Sequence, residues 1–132
     1  MVIDSSAIAA VLFGEPEAAA LLGVLASSEP KLMSAVSHLE SAIVVQARKG
    51  DVGAKAYASL MAQADIEVVA FDASQAEVAL DAWRRYGKGR HAAGLNLGDC
   101  ASYALASVRN QALLFKGGDF AKTDVAEVSR GA

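Results

Sequence analysis

The chain reads as an α/β domain built on a mainly parallel sheet. Short apolar runs alternate with segments of helical periodicity, in the order strand, helices, strand, helices, strand, two helices, strand. Acidic residues stand just past several of those runs, where open parallel sheets place their ligand sites. The 132 residues suit one domain spanning 1–132, with no linker, repeat or low-complexity tract.

The elements follow in order. Val2-Ile3 is a short apolar strand. Asp4 can cap a helix carrying Ala7, Ile8, Val11 and Leu12, which Gly14 stops. Pro16 suits the first turn of the next helix, where Glu15 and Glu17 favour the positive end of the dipole. Leu21, Leu22 and Leu25 form one face of that helix, as core or dimer contacts, and the run from Ser27 to Pro30 breaks it. Lys31–Ser34 is the second strand. Ser37 and Glu40 have the spacing of a capping box, so a helix is expected from there to Lys49, with Gly50 as its stop. Another helix runs from Val52 to Gln63, followed by a third strand at Ile66–Val69.

Asp72 opens a helix with Ala76, Ala79, Leu80 and Trp83 at helical spacing, which puts Trp83 in the core. From Arg84 the chain becomes a basic, glycine-rich loop, RRYGKGRHAAGLNLGD. Asp99 is expected to start the next helix, with Asn110 near its C-cap. Ala112–Phe115 is the fourth strand, KGGDF a turn, and Val125–Val128 a last short strand.

Composition narrows the function. Hydrophobic residues make up 54% and charged residues 20%, a globular balance. The lone Cys100 excludes an internal disulfide and the usual structural zinc sites, and it is expected to pack as a small hydrophobe. With no long apolar run and no basic leader, neither a membrane span nor a signal peptide is expected, and the default location is cytoplasmic. A net charge of −3 argues against a simple basic glove for nucleic acid. It leaves room for a nucleic-acid enzyme whose acids hold metal ions.

Four acids stand at element ends: Asp4, Glu40, Asp99 and Asp119. Each alone has a simple structural explanation, as a cap, a capping-box partner, a dipole partner or a turn residue. Together they imply a shared site. Two carboxylates about 5 Å apart repel by roughly 3 kcal/mol at an effective dielectric near 20, so convergence needs a bound cation or protonation. Oxygen ligands without a thiolate cluster select Mg²⁺ or Mn²⁺, and such a site suits phosphodiester chemistry.

MVIDSSAI, SHLESA, NLGDCASYALA and LLFKGGDF, in that order, resemble the PIN-domain ribonucleases, and within them the VapC toxins of bacterial toxin–antitoxin pairs. The resemblance runs from Val2 to about Val125. It implies a three-layer α/β/α fold with a central mainly parallel sheet. It implies RNA hydrolysis by a metal-activated water, leaving a 5′-phosphate and a 3′-hydroxyl. Carried onto this chain, Asp4, Glu40, Asp99 and Asp119 are the catalytic and metal-holding acids, with Asp124 able to share or take the role of Asp119. Ser5 and Ser6 match hydroxyl residues that support the site, with helix capping as their other reading. The resemblance also implies a homodimer and a VapB-type antitoxin whose C-terminal segment blocks the pocket. Arg84, Arg85, Lys88, Arg90 and Lys116, with Lys122, would form a basic rim for RNA around the acidic floor, against the simpler reading of a solvated surface loop.

Two other classes remain open from sequence. A phosphatase or receiver domain also gathers acids around Mg²⁺, although Ser6 stands where such a phosphatase carries its second aspartate, and the paired acids of a receiver are absent. A non-catalytic RNA- or protein-binding module with the same fold is the third. His38 is expected to be structural.

Overall fold

The computed structural model describes residues 1–130. Four strands form one sheet: β1 (Val2–Ile3), β2 (Lys31–Ser34), β3 (Ile66–Val69) and β4 (Leu113–Leu114). Their order is β3-β2-β1-β4 and every neighbouring pair is parallel, with Val2 opposite Leu32 and Leu113. The expected mainly parallel sheet is therefore wholly parallel among the described residues. Among the described residues, five helices flank the sheet: α1 (Ser5–Leu12), α2 (Ala18–Leu25), α3 (Ala35–Gln63), α4 (Ala73–Tyr86) and α5 (Leu97–Arg109). A short 3-10 turn follows at Phe120–Lys122.

β1, β2 and β4 are buried on both faces, whereas the edge strand β3 buries Ile66 and exposes Glu67 and Val68. Successive side chains point to opposite faces. Val2, Leu32 and Leu113 pack with Ala82 of α4 and with Cys100, Tyr103 and Leu105 of α5. Ile3, Met33 and Leu114 pack with Ile8, Leu21, Leu25, Val45 and Tyr57 from α1, α2 and α3. The result is three layers, α4 and α5 over one face and α1 to α3 over the other. Each fully buried Ile or Leu contributes about 1.5–3 kcal/mol by leaving water. Among the described residues, no helix is long and apolar enough to cross a membrane.

The topology places a site. From β1 the chain winds outward through β2 to β3, then α4 and α5 carry it back to β4 on the other side of β1. The winding direction reverses at β1, and crevices for ligands form at such reversals, outside the carboxyl ends of the strands. Asp4 is the residue that leaves β1 there.

Several local expectations give way to tertiary packing. Ser37 does not cap α3. Ser34 does, accepting from the Val36 amide at 3.2 Å, and Ser37 is buried at the third position of the helix. Asp99 does not start α5. Asn96 caps it and Asp99 sits at the third helical position. Pro16 lies in the turn before α2 rather than in its first turn. Trp83 is 40% exposed and Leu22 44%, so neither is core, while Leu21 and Leu25 are buried. The last strand reduces to a single bridge between Leu113 and Glu127. His38 is structural as expected, its Nδ1 bonded to the Tyr57 hydroxyl at 2.7 Å.

Gly50 shows why the helical segments before and after it join in α3 with a kink. Its φ of 62° and ψ of −152° lie in a region that only glycine occupies readily. No atom lies within 4 Å of where a Cβ would stand, so substitution meets backbone strain and no clash. Gly50→Ala should therefore cost about 1–3 kcal/mol, read as a lower urea midpoint at unchanged slope. An unchanged midpoint would show that the kink is not fixed by this residue.

Candidate active site

Asp4 is the buried centre of the site, with 1% of its surface exposed. Its backbone is still extended, at φ −83° and ψ 154°, and its N–H donates to the Leu114 carbonyl at 2.9 Å. Its side chain caps α1, accepting from the Ser6 amide at 3.0 Å through Oδ2. Its other oxygen, Oδ1, accepts from the Ser102 hydroxyl at 2.5 Å. A buried carboxylate without such donors would cost several kcal/mol.

Glu40 extends from α3 and accepts from the Ser5 hydroxyl at 2.6 Å. Opposite it lies Gly98, in the first turn of α5. A Cβ on Gly98 would stand 2.7 Å from both Glu40 carboxylate oxygens, so only glycine there leaves Glu40 its place. Asp99 and Asn96 exchange the two bonds of a capping box. The Asp99 amide donates to Asn96 Oδ1 at 2.9 Å, and the Asn96 amide donates to Asp99 Oδ2 at 3.0 Å. Asp4, Ser5, Ser6, Glu40, Asn96 and Asp99 all line one cleft of about 170 Å³.

The electrostatics tie the acids together. The Asp99 carboxyl is pushed up to about 6, first by burial and then by the negative charges of Asp4, Glu40 and Asp119, against the lowering pull of its bond from Asn96. These three are the other acids singled out in the sequence. Asp119 itself is exposed at the head of the 3-10 turn, outside the residues that line the cleft, and acts on Asp99 through its charge.

Oxygen-only donors and crowded negative charge suit a hard divalent cation, which would relieve the repulsion felt at Asp99. Among the described residues, no group of three His, Cys, Asp or Glu side chains is placed to enclose an ion as it stands. Asp4, Glu40 and Asp99 are instead spread across the cleft on separate donors.

The other residues named from sequence are placed as follows. Ser6 supports the site through its backbone amide and accepts from the Lys116 amide at 3.0 Å through Oγ, linking α1 to the end of β4. Asp124 faces elsewhere. It accepts from the Tyr103 hydroxyl at 2.5 Å and from Arg85 at 3.2 Å, and these bonds hold its carboxyl below the usual range. Arg84, Arg85, Lys88 and Arg90 are all exposed. Arg85 stacks over Tyr86 and Arg90 over Trp83, at 4.8 and 4.9 Å from the ring centroids. Lys116 is paired with Glu15 at 2.7 Å, and Lys122 reaches the Ala92 carbonyl at 3.5 Å. Cys100 is buried as expected.

Reasoning from sequence missed Ser102, Asn96 and Gly98. Asn96 carried a readable signal, the Asn-x-x-Asp spacing of a capping box. Ser102 lies one helical turn past Asp99, a spacing that puts it on the same face. Nothing in the sequence marks Gly98 as the neighbour of Glu40, since that contact joins different helices.

The PIN-domain family model matches residues 1–126. The chain belongs to the PIN-domain family. Among its relatives is a ribonuclease VapC of Mycolicibacterium smegmatis, 52% identical over 97% of this chain and 99% of that protein. Another is the ribonuclease VapC30 of Mycobacterium tuberculosis, 47% identical over 98% of each chain. The fold is similar to that of VapC20 of M. tuberculosis, described as a toxin that cleaves the sarcin-ricin loop, with a TM-score of 0.77 at 22% identity over 96% of this chain and 97% of that one. It is also similar to VapBC2 of Rickettsia felis bound to promoter DNA, with a TM-score of 0.75 at 11% identity over 97% and 96% of the two chains.

Two expectations follow for this PIN domain. Between its unfolded value of 3.8 and its folded value of about 6, Asp99 binds a proton more tightly folded than unfolded. Its neutral form thus favours the fold at low pH, and that contribution disappears as pH rises through about 6. Asp99→Asn should therefore raise the Tm of metal-free protein at pH 7.5 but not at pH 4, and parallel Tm-versus-pH curves would contradict the repulsion. Gly98→Ala should leave Tm unchanged or slightly raised, since alanine gains up to about 1 kcal/mol in a helix, while displacing the Glu40 carboxylate and cutting RNA cleavage at least tenfold. Full activity in that variant would remove Glu40 from the site.

Proposed function

We propose that this protein is a metal-dependent endoribonuclease acting in the cytoplasm as the toxin of a VapBC-type toxin–antitoxin pair, with RNA as substrate and a VapB-type antitoxin as partner. The observation that carries this reading is the cleft lined by Asp4, Glu40 and Asp99 at the carboxyl end of the sheet, where burial and then the charges of Asp4, Glu40 and Asp119 raise the Asp99 carboxyl. Family membership over nearly the whole chain and relatives named VapC ribonucleases support it. Exposed Leu39 and Ile43 flank Glu40 on α3, and Leu97 precedes Asp99, which gives a second copy or an antitoxin apolar ground beside the cleft.

Asp4, Glu40, Asp99 and Asp119 would hold Mg²⁺ or Mn²⁺. When bound, the cation supplies Lewis acidity toward the phosphate and lowers the pKa of water. The chain's own contributions are distinct. Asp4 is held in place by two donors, the Ser6 amide and the Ser102 hydroxyl. Ser5 orients Glu40, and Asn96 orients Asp99. Arg84, Arg85, Lys88 and Arg90 would hold the RNA backbone beside the acids. Among the described residues, none of those lining the cleft is a His that could act as a general base.

Antitoxin-free protein should cut RNA into discrete fragments with 5′-phosphate ends in Mg²⁺ or Mn²⁺, and cut nothing in EDTA. Asp4→Asn and Asp99→Asn should each lower the rate at least a hundredfold while keeping the fold by circular dichroism. Folded wild-type protein that cuts no RNA with either metal would overturn the reading.

A further inference from the structure

Two serines with no exposed surface lie beneath the carboxylates: Ser37 of α3 and Ser102 of α5. Their Oγ atoms are 2.8 Å apart. Proton bookkeeping gives the bond a direction. Ser102 has one hydroxyl proton and donates it to Asp4 Oδ1 at 2.5 Å. Its oxygen then has only lone pairs for Ser37, so Ser37 donates to Ser102. The chain of donation runs from Ser37 to Ser102 to Asp4, across 65 and then 98 residues of sequence.

The placement matters as much as the bonds. Ser37 stands three residues before Glu40 on α3, and Ser102 three residues after Asp99 on α5. Each serine thus sits about one helical turn from the acid its helix carries. The relay joins the end of β1, the first turn of α3 and the second turn of α5, and through them three of the four acids.

We infer that Ser102, oriented by Ser37, is a positioning residue that fixes the Asp4 carboxylate for cation binding and sets its spacing from Glu40 and Asp99. This rests on the nuclease reading above. Neither hydroxyl touches substrate. Ser102 holds the Asp4 side chain in one orientation and supplies its charged form with a donor. Ser37 keeps the Ser102 proton aimed at Asp4. Chained hydroxyl bonds in a dry interior strengthen one another, so removing the first donor weakens the second.

The test is a pair of variants and their double, Ser37→Ala, Ser102→Ala and both together, measured for Mn²⁺ affinity by calorimetry on RNA-free protein and for kcat and KM on an RNA substrate. Ser102→Ala should weaken Mn²⁺ binding about 10–100-fold, the usual cost of losing a group that orients a metal ligand, and lower kcat with KM for RNA unchanged. Ser37→Ala should act in the same direction but less. The double variant should match Ser102→Ala, because Ser37 works only through Ser102. Mn²⁺ affinities equal to wild type in both single variants would overturn the inference, as would a rise in KM with kcat unchanged. Should Ser102→Ala fail to fold, Ser37→Ala decides alone, since Ser102 still faces Asp4 in that variant. Wild-type protein that neither binds Mn²⁺ nor cuts RNA overturns the nuclease reading itself, a result distinct from wild-type function with unaffected serine variants.

Discussion

The structure turns on one buried charge. Asp4 sits at the end of the central strand with almost no surface exposed. An ion taken out of water costs several kcal/mol unless it is paired or hydrogen-bonded. Here Ser6 answers from the first turn of α1, where the helix dipole also favours a negative charge, and Ser102 answers from α5. Both answers require particular elements to meet at that point. α1 must start immediately after β1, and α5 must cross the sheet with Ser102 turned inward. Burying Asp4 therefore constrains how the two helical layers close on the sheet, far beyond its own immediate surroundings.

A second charge follows from the first. With Asp4 and Glu40 in place, an acid at position 99 has negative neighbours and little water, and its carboxyl rises accordingly. The capping box with Asn96 limits the rise, because a charged carboxylate is the better acceptor for the Asn96 amide. The local demand of the helix for an acid at its third position and the site's demand for a carboxylate coincide in one residue. That coincidence places a raised carboxyl where a bound divalent cation would favour its ionised form.

Much of this was legible in the sequence, and what was not has a common cause. The strands were readable because their buried positions are apolar, as in the fully buried β1 and β4, and because helical periodicity stops on either side of them. Asp4, Glu40 and Asp99 stood out because they fall at element ends. The errors at Ser37 and Trp83 arose where a local rule met a tertiary competitor. Ser37 has the spacing of a capping box, but Ser34 takes the cap and Ser102 claims the Ser37 hydroxyl. Trp83 has the spacing of a core stripe, yet it keeps part of its ring outside, where Arg90 covers it. Gly98 and Ser102 gave no signal because their roles depend on atoms from other helices. Asp119 and Asp124 could not be ranked from sequence. The structure separates them by partners, since Tyr103 and Arg85 hold Asp124 while the charge of Asp119 reaches Asp99.

The basic residues pose the opposite problem to the acids, since the whole chain is negative at −3. An attraction for RNA must then come from local arrangement rather than from total charge. The arrangement is partly fixed in advance: Arg85 lies over Tyr86 and Arg90 over Trp83, which restrains both guanidinium planes while leaving them at the surface. The ion pair of Arg85 with Asp124 is itself exposed and screened by water, so an incoming phosphate would compete for the guanidinium against a weak partner. The same loop runs through the bridge between Gly87 and Leu95 directly into Asn96 and the capping box of Asp99. A phosphate held by that loop would therefore be referenced to the carboxylate through a short, hydrogen-bonded stretch of backbone, which would couple the grip on RNA to the acids.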